Sequence, residues 1–446
     1  MNRSAAFDPH LLPGLASLFI TGFRDRQQLQ RFRDRQLRSL VRHACRNVPY
    51  YRSLFDRAGI RSSCIRSEAD LAAIPVSRKE DLLPLATDQV VAAGYPPEKQ
   101  IQRRSSGTTG VPFTIRRTWL EERLLQAFRW RALLDTGLRP KDRMGAIARI
   151  RDIHPNDSQI ILRTLNTLGL CRTSMIDCFL PFAEIIDQLE RHRFPVITGL
   201  AGTLYQTALH SLHTGRGIPS PRLVVTGGET LLPHMRSVIE AAFGTRVCDT
   251  YGSHEFNLLA WQCRTTGEYH LCDDSLIIEI LRGGRPAKPG EEGEVVVTSL
   301  FSRAMPFIRY HLGDTAIQGE TGCACGAPFA TIKEIKGRTI EFLVLPDGRL
   351  MHPFQIIRLI VHAPRQWVRQ YQLVQESRES IVLRIVPLEN PPPGLRGEFE
   401  RTVRAMPGMG GIFRTELTAA IPMEPSGKYA VFKTLLPNGQ IRPNLR

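Results

Sequence analysis

The amino-acid sequence predicts an α/β protein with a large N-terminal domain of buried sheets and helices and a small α+β C-terminal domain. Between residues 190 and 300, short apolar runs typical of strands alternate with segments of helical periodicity, which favours sheets covered by helices. After Gly337 and Arg338, strand-like runs and turns follow one another closely. We therefore predict an N-terminal domain at 1–337 and a C-terminal domain at 338–446, whose length is normal for a domain.

The composition is that of a globular protein with a strong positive charge. The chain has 446 residues, of which 42% are hydrophobic, and a formal net charge of +16. Such a charge suits a nucleic-acid or membrane-surface partner. The arginines, however, are spread along the whole chain, and no zinc-finger or RNA-recognition pattern accompanies them. We therefore predict an anionic small-molecule substrate and no nucleic-acid partner.

Hydropathy gives no sign of a membrane span or a leader. Every apolar stretch falls short of the roughly 20 residues that a membrane helix needs. The most apolar early segment, at 11–23, is interrupted by Pro13 and Gly14. It also lacks the basic n-region and the small-residue cleavage site of a signal peptide. The sequence thus predicts no transmembrane segment and a cytoplasmic location.

Local patterns predict the elements in chain order. Residues 24–60 have the apolar periodicity of an amphipathic helix, which should end around Pro49 because proline lacks a backbone donor. A shorter helix is expected near Ser77, with Glu80 as its capping-box partner. A strand at 111–115 should precede another helix. Further strands are expected at 194–198, 223–226, 247–251, 276–281, 295–300, 342–345, 371–374 and 381–386.

A run of small polar residues carries the sharpest chemical signal. It consists of Ser105, Ser106, Gly107, Thr108, Thr109 and Gly110. Glycines let a backbone aim several N–H groups at one anion, and hydroxyls add donors without bulk, so the run predicts a phosphate-binding loop. It lacks the Gly-Lys-Ser/Thr ending of a Walker A loop. A plain Ser/Thr/Gly surface loop is the alternative interpretation.

This run resembles the phosphate-binding signature SSGTTGxP of the adenylate-forming superfamily. The variant belongs to the branch of phenylacetate–CoA ligases, CapK-type proteins and coenzyme F390 synthetases, although Val111 stands where many members carry lysine. The resemblance extends from about residue 27 to 436. It implies an ATP- and Mg²⁺-dependent, AMP-forming ligase that adenylates a carboxylic acid and passes the acyl group to a thiol, with CoA as the first choice. It also implies that the small C-terminal domain is mobile.

Further segments match this branch in the same order along the chain. Gly228 and Glu229 belong to a TGGE run that resembles the loop packing against adenine. The next match, DTYGSHE, is similar to the D-x-Y-G-x-x-E segment, in which tyrosine stacks on the purine and glycine permits close approach. The nucleotide-binding residues implied there are Asp249, Thr250, Tyr251 and Gly252. Glu255 would hold Mg²⁺ against the triphosphate.

Three more residues take their roles from the resemblance. Asp314 ends the run MPFIRYHLGD, in which a carboxylate would accept hydrogen bonds from both ribose hydroxyls. Arg338 is similar to the arginine near the hinge that contacts ribose or phosphate. Lys428 follows Pro-Ser-Gly and would be the adenylation lysine, a point charge at the reacting centre.

Cysteine and histidine spacing suggests a metal site. Branch members carry C-x₆-H and C-x-C pairs, and by resemblance the corresponding residues would bind a structural Zn²⁺. Those residues are Cys263, His270, Cys323 and Cys325. Cys272 is an alternative ligand, and ordinary unliganded thiols are the alternative interpretation.

Several alternatives stay open at this point. Ile340 and Glu341 stand where many relatives have two aspartates near the hinge, so adenylation is predicted on more residues than transfer to CoA. The rival enzymes are an adenylyltransferase of the coenzyme F390 synthetase type and a ligase with an amine or alcohol acceptor. A non-catalytic scaffold for envelope polysaccharide assembly is the rival of another class. No motif identifies the acid, for which an aryl or arylacetic compound is an analogy, and a homodimer is also open.

Overall fold

The structure, a computed structural model, divides into two compact units. The first comprises Met1–Pro140 and Cys248–Lys336, and the second comprises Lys141–Val247 and Gly337–Arg446. The predicted boundary near residue 338 stays a prediction. The structure describes residues 25–104, 113–148, 167, 169–170, 172–338, 343–351, 353–361, 367–387, 394–422 and 430–436.

Helices and strands are both numbered in chain order. The helices are α1 (Arg26–Asn47), α2 (Pro49–Arg57), α3 (Lys79–Leu82), α4 (Thr87–Val90), α5 (Trp119–Asp135), α6 (Phe182–His192), α7 (Ala201–Thr214), α8 (Pro233–Phe243), α9 (Phe354–Val361) and α10 (Leu395–Arg404). The first ten strands are β1 (Ile101–Arg104), β2 (Thr114–Arg117), β3 (Arg143–Ala148), β4 (Arg172–Asp177), β5 (Val196–Leu200), β6 (Leu223–Gly227), β7 (Val247–Ser253), β8 (Asn257–Gln262), β9 (Tyr269–Leu271) and β10 (Leu276–Arg282). The others are β11 (Arg285–Pro286), β12 (Glu292–Ser299), β13 (Tyr310–Gln318), β14 (Thr331–Arg338), β15 (Leu343–Val344), β16 (Leu350–Met351), β17 (Val368–Ser377), β18 (Ser380–Pro387), β19 (Phe413–Leu417) and β20 (Phe432–Thr434).

In the first unit, β7 to β14 form an array that is largely antiparallel. Its order is β11-β10-β12-β13-β14-β9-β8-β7, and β1 pairs with β2 as a separate hairpin. Aromatic residues such as Trp261, Phe256 and Phe307 fill the core beneath this array. The helices α1 and α2 pack their apolar faces into a second cluster around Tyr51 and Phe301.

The second unit contains the alternating part of the fold. The strands β4-β3-β5-β6 run parallel, and α6, α7 and α8 follow β4, β5 and β6 along the chain. Because both faces of a parallel sheet are covered, its strands β5 and β6 are nearly continuous apolar runs. A second sheet, β19-β18-β17-β20, packs with α9 and α10 around a core that includes Trp367 and Phe413.

The predicted fold class is confirmed, with one difference in the middle of the chain. The strands expected at 194–198, 223–226, 247–251, 276–281 and 295–300 are all present. Strand–helix alternation, however, stops at Val247, because β7 to β12 follow one another through turns. The apolar runs in these strands are buried in the core. Such apolar runs occur in buried strands of either kind, so they do not distinguish parallel from antiparallel pairing.

The N-terminal helices differ from the prediction in their details. The periodic segment is two helices: Val48 is extended, and Pro49 opens α2, since proline is well suited to the first helical position. The predicted capping pair of Ser77 and Glu80 is wrong. The helix α3 begins at Lys79, and its N-terminus is capped by the Asp81 carboxylate, which accepts from the Arg78 N–H at 2.7 Å.

The strand expected at 111–115 begins at Thr114 in the described part and runs to Arg117. Within the described ranges, no helix combines the length and the apolar character that a membrane crossing requires.

Candidate functional site

The two predicted nucleotide segments of the first unit meet through a buried hydrogen bond. The Tyr251 hydroxyl on β7 donates to Oδ2 of Asp314 on β13 at 2.5 Å. Tyr251 is 9% exposed and Asp314 is 7% exposed. The structure therefore brings together two residues that lie 63 positions apart in the chain.

Gly252 is required by the backbone next to this pair. The register of β7 on β8 shifts between Tyr251 and Gly252, and a Cβ atom on Gly252 would lie 2.2 Å from the Asn257 carbonyl oxygen. Any side chain at this position would force the bulge apart. The sequence motif attributes this glycine to close approach of a ligand, whereas the structure shows close approach of the chain itself.

Asp249 and Thr250 lie on the same strand as Tyr251. The Asp249 carboxylate accepts from the Tyr269 hydroxyl at 2.8 Å, and its N–H donates to Gln262 Oε1 at 3.3 Å. Asp249 is buried and Thr250 is half-buried. In this structure Asp249 therefore connects β7 to β8 and β9.

Glu255 lies in the turn between β7 and β8. It is 6% exposed, and among the described residues no side chain donates to its carboxylate. The preceding carbonyl, that of His254, accepts from Arg117, which in turn pairs with Glu122. The sequence analysis missed Arg117 and Glu122, for which only their place just after the predicted phosphate loop gave a signal.

The segment that leads to Asp314 is held by helix α2, by the backbone at Ile74 and by strand β10. The Tyr51 hydroxyl donates to the Pro306 carbonyl and accepts from the Ile308 N–H. Arg309, buried and with φ of 46°, donates to the Ile74 carbonyl at 2.6 Å and forms two hydrogen bonds with Glu279. A positive φ is uncommon for a residue other than glycine and persists where its surroundings fix it.

In the second unit, the predicted adenine loop has a structural contact of its own. Glu229 accepts from the Gly202 N–H at 2.6 Å and so caps the N-terminus of α7. Gly228 has φ of 76°, and a Cβ atom there would approach Leu200 to 3.0 Å. Both features fix the loop after β6.

Several predicted site residues cannot be placed. Ser105, Ser106, Gly107, Thr108, Thr109, Gly110 and Lys428 lie outside the described residues, as do Ile340 and Glu341. Arg338 is the last residue of β14.

The four predicted metal ligands converge in the first unit, and we name them the thiol–imidazole group. The ligand atoms of Cys263, His270, Cys323 and Cys325 all lie within 4.8 Å of one another. The Cys323 and Cys263 sulfur atoms are 3.8 Å apart, and Cys325 Sγ is 3.3 Å from His270 Nε2. In a tetrahedral site with Zn–S bonds of about 2.3 Å, two sulfur atoms lie about 3.8 Å apart, so the geometry fits zinc.

The surroundings of the thiol–imidazole group support the same chemistry. Burial by itself would raise the pKa of the Cys263 thiol, but hydrogen bonds, chiefly from Thr266, lower it to about 7. Trp261 and Phe329 pack against the His270 ring, and Arg131 lies over both aromatic rings. Cys272 is buried and lies outside the group.

Comparisons with known proteins show which proteins the chain is similar to in sequence. No protein-family model matches the chain. The phenylacetate–coenzyme A ligase of Thermus thermophilus is 24% identical over 377 residues, which is 78% of each chain. That of Escherichia coli is 28% identical over 351 residues, covering 75% of this chain and 76% of the relative.

Solved structures show the same fold. A 2-hydroxyisobutyryl-CoA ligase in its postadenylation state, in complex with 2-HIB-AMP, matches with a TM-score of 0.72 at 19% identity, covering 90% of this chain and 88% of that one. An anthranilate CoA ligase in complex with anthranoyl-AMP matches with a TM-score of 0.55 at 16% identity, covering 78% and 68%. The fold is that of the adenylate-forming acyl-CoA ligases. In sequence, the chain is similar to the phenylacetate–coenzyme A ligases over about three quarters of its length.

Proposed function

We propose that the protein is an AMP-forming ligase that converts a carboxylic acid and ATP to an acyl-adenylate and pyrophosphate, and then passes the acyl group to the thiol of CoA. The observation that carries the proposal is the hydrogen bond between Tyr251 and Asp314. It joins the segment expected to stack on adenine to the segment expected to bind ribose. A buried phenol bonded to a buried carboxylate offers both an apolar ring face and an acceptor for a diol.

Glu255 is the proposed Mg²⁺ ligand. Its carboxylate is buried and has no donor among the described side chains, which suits a hard cation bound through oxygen. When bound, Mg²⁺ would neutralise phosphate charge. The protein itself would orient the acid and ATP, since catalysis of this kind rests on positioning and electrostatics.

The remaining roles rest on the resemblance. The run from Ser105 to Gly110 would bind phosphates, Arg338 ribose or phosphate, and Lys428 the reacting centre. The loop of Gly228 and Glu229 would pack against the adenine ring of ATP. The named relatives favour an aryl or arylacetic acid as substrate, and ATP and CoA as co-substrates favour a cytoplasmic enzyme.

We assign the thiol–imidazole group to a structural Zn²⁺. Three sulfur ligands and one imidazole complete a tetrahedral set, so no position stays open for water or substrate. The metal would join the β8–β9 hairpin to the loop that carries Cys323 and Cys325.

ATP–pyrophosphate exchange tests the proposal. Exchange should depend on an added acid across a panel of aryl, arylacetic and short aliphatic acids. Lys428→Ala should abolish it, whereas Lys288→Ala, at an exposed lysine, should not. Acid-independent adenylylation of another molecule would favour the adenylyltransferase, and absence of exchange across the panel would refute the ligase.

The acceptor needs a separate assay. With the active acid, addition of CoA should give acyl-CoA and AMP, detected by chromatography and mass spectrometry. Accumulation of acyl-adenylate that CoA leaves unchanged, but an amine or alcohol consumes, would overturn the choice of CoA.

A further inference from the structure

A buried ionic network connects the hairpin before α5 to the turn that carries Glu255. Arg117, at the end of β2, donates through one guanidinium nitrogen to Glu122 Oε2 at 2.9 Å. Arg103 on β1 donates to the other oxygen of Glu122 at 3.0 Å. The side chains of Arg117 and Glu122 are only 4% and 7% exposed.

The second terminal nitrogen of Arg117 leaves this network and reaches the turn. It donates to the backbone carbonyl of His254, the residue immediately before Glu255. The planar guanidinium can hold a carboxylate and a carbonyl at once, and its geometry fixes the angle between them. A lysine at the same position would offer one ammonium and would not bridge both acceptors in a fixed geometry.

The network stays charged under ordinary conditions. Burial alone would raise the pKa of Glu122, but Arg117 and Arg103 together hold it below its usual range. The contribution of Glu122 to stability is therefore present above a pH of about 4.5 and is lost only as the pH falls through its lowered pKa.

Arg117 lies on the short hairpin that β1 and β2 form. Residues Ile101 and Arg117 are paired at one end of it, and Arg104 and Thr114 at the other. Arg117 thus lies three residues along β2 from Thr114, a distance of about 10 Å. Buried core residues Ile115 and Phe113 fix β2 against the rest of the first unit.

We propose that Arg117 is a positioning residue for Glu255, and that Glu122 and Arg103 hold Arg117 in place for this task. The proposal rests on the proposed function, because it assigns Arg117 to the Mg²⁺-binding role of Glu255. Arg117 does not contact substrate in this scheme. It fixes the backbone on which the Glu255 carboxylate is mounted, as outer residues commonly do at metal sites.

The test is the Mg²⁺ dependence of acid-dependent ATP–pyrophosphate exchange. Arg117→Gln should raise the Mg²⁺ concentration for half-maximal exchange about 10-fold or more, the usual effect of losing such a supporting residue. Arg117→Lys should give a smaller rise, and the KM for the acid should stay unchanged. Arg103→Gln, at a partly exposed residue, should shift the Mg²⁺ dependence in the same direction by less.

A matched control separates positioning from general loss of structure. Arg33 is also a buried arginine of the first unit, 3% exposed and paired with Glu68 at 3.1 Å, far along the chain from Glu255. Arg33→Gln should lower the melting temperature as Arg117→Gln does, but leave the Mg²⁺ dependence unchanged. An equal shift in both variants would overturn the proposal.

A double-mutant cycle tests the route of the effect. If Arg117 acts through Glu255, Arg117→Gln should add no further shift to Glu255→Gln. Additive effects, or a folded Arg117→Gln variant with wild-type Mg²⁺ dependence, would refute the positioning role. If the wild-type protein shows no acid-dependent exchange, the proposed function itself fails, and this outcome is distinct from either of those.

Discussion

The Tyr251–Asp314 pair and the thiol–imidazole group both lie in the first unit, but their polar atoms are satisfied in different ways. The first pair is buried, and each member satisfies the other through a direct hydrogen bond. In the second, three sulfur atoms and one imidazole face one another, and Cys325 is exposed. The proposed nucleotide centre is therefore held by a hydrogen bond within the protein, whereas the ligands of the thiol–imidazole group would be held together by the proposed metal.

Because of this difference, we expect substitutions at the two places to affect different properties, nucleotide binding at one and the free energy of unfolding at the other. Changes at the Tyr251–Asp314 pair should affect nucleotide binding more than unfolding, because the surrounding aromatic core stays in place. Changes at the thiol–imidazole group should affect unfolding first, since metal binding and folding are coupled.

Loss of the metal should have the largest effect. We expect one Zn²⁺ per chain by elemental analysis, and chelation or Cys323→Ser should destabilise the first unit by up to about 10 kcal/mol, because that binding energy is folding energy. Differential scanning calorimetry would measure the change. Cys64→Ser, at an exposed cysteine outside the group, is the control and should leave the melting temperature unchanged. A metal-free protein whose melting is insensitive to chelators would contradict the assignment.

Asp314→Asn should have the second largest effect, and this effect should be on activity and not on stability. The amide retains one acceptor but loses the charge that strengthens hydrogen bonds to the ribose, worth about 2–3 kcal/mol. Acid-dependent exchange should fall by roughly 100-fold in kcat/KM. Asp347→Asn, at an exposed turn, should exchange at the wild-type rate. A similar loss in both variants would mean that Asp314 has no special role.

Glu229→Gln should have the smallest effect. The charged carboxylate caps α7 through the Gly202 N–H, and replacing it should cost about 0.5–1 kcal/mol. A fall of a few degrees or less in melting temperature would measure this. An unchanged melting temperature would mean that the Glu229 carboxylate contributes nothing to the cap of α7.

The sequence predicted the strands better than the contacts between them. Pro49 correctly marked the end of α1, but the same residue also begins α2, because proline suits both positions. The segments of Tyr251 and Asp314 were identified by their motifs. Their mutual hydrogen bond, and that between Arg117 and the His254 carbonyl, join positions far apart in the chain, and no local periodicity encodes such contacts.

Gly252 is a position that the sequence marked as special, but for a different reason from the one that the structure shows. A glycine in a ligand-binding motif suggests close approach of the ligand, but its necessity in this fold comes from the bulge against Asn257. Ser77 is similar: its sequence suggested a helix cap, yet its backbone pairs with Arg309 and His311. Residue type indicated that these positions are special, and only tertiary structure gave the reason.

The most direct test of the proposed nucleotide site is a double-mutant cycle on ATP binding, using Tyr251→Phe, Asp314→Asn and the double variant in isothermal titration calorimetry. If the two residues form one nucleotide centre, each single variant should weaken ATP binding, and the two losses should be non-additive because they share one hydrogen bond. Wild-type ATP affinity in both single variants, with the fold intact, would show that Tyr251 and Asp314 do not bind the nucleotide.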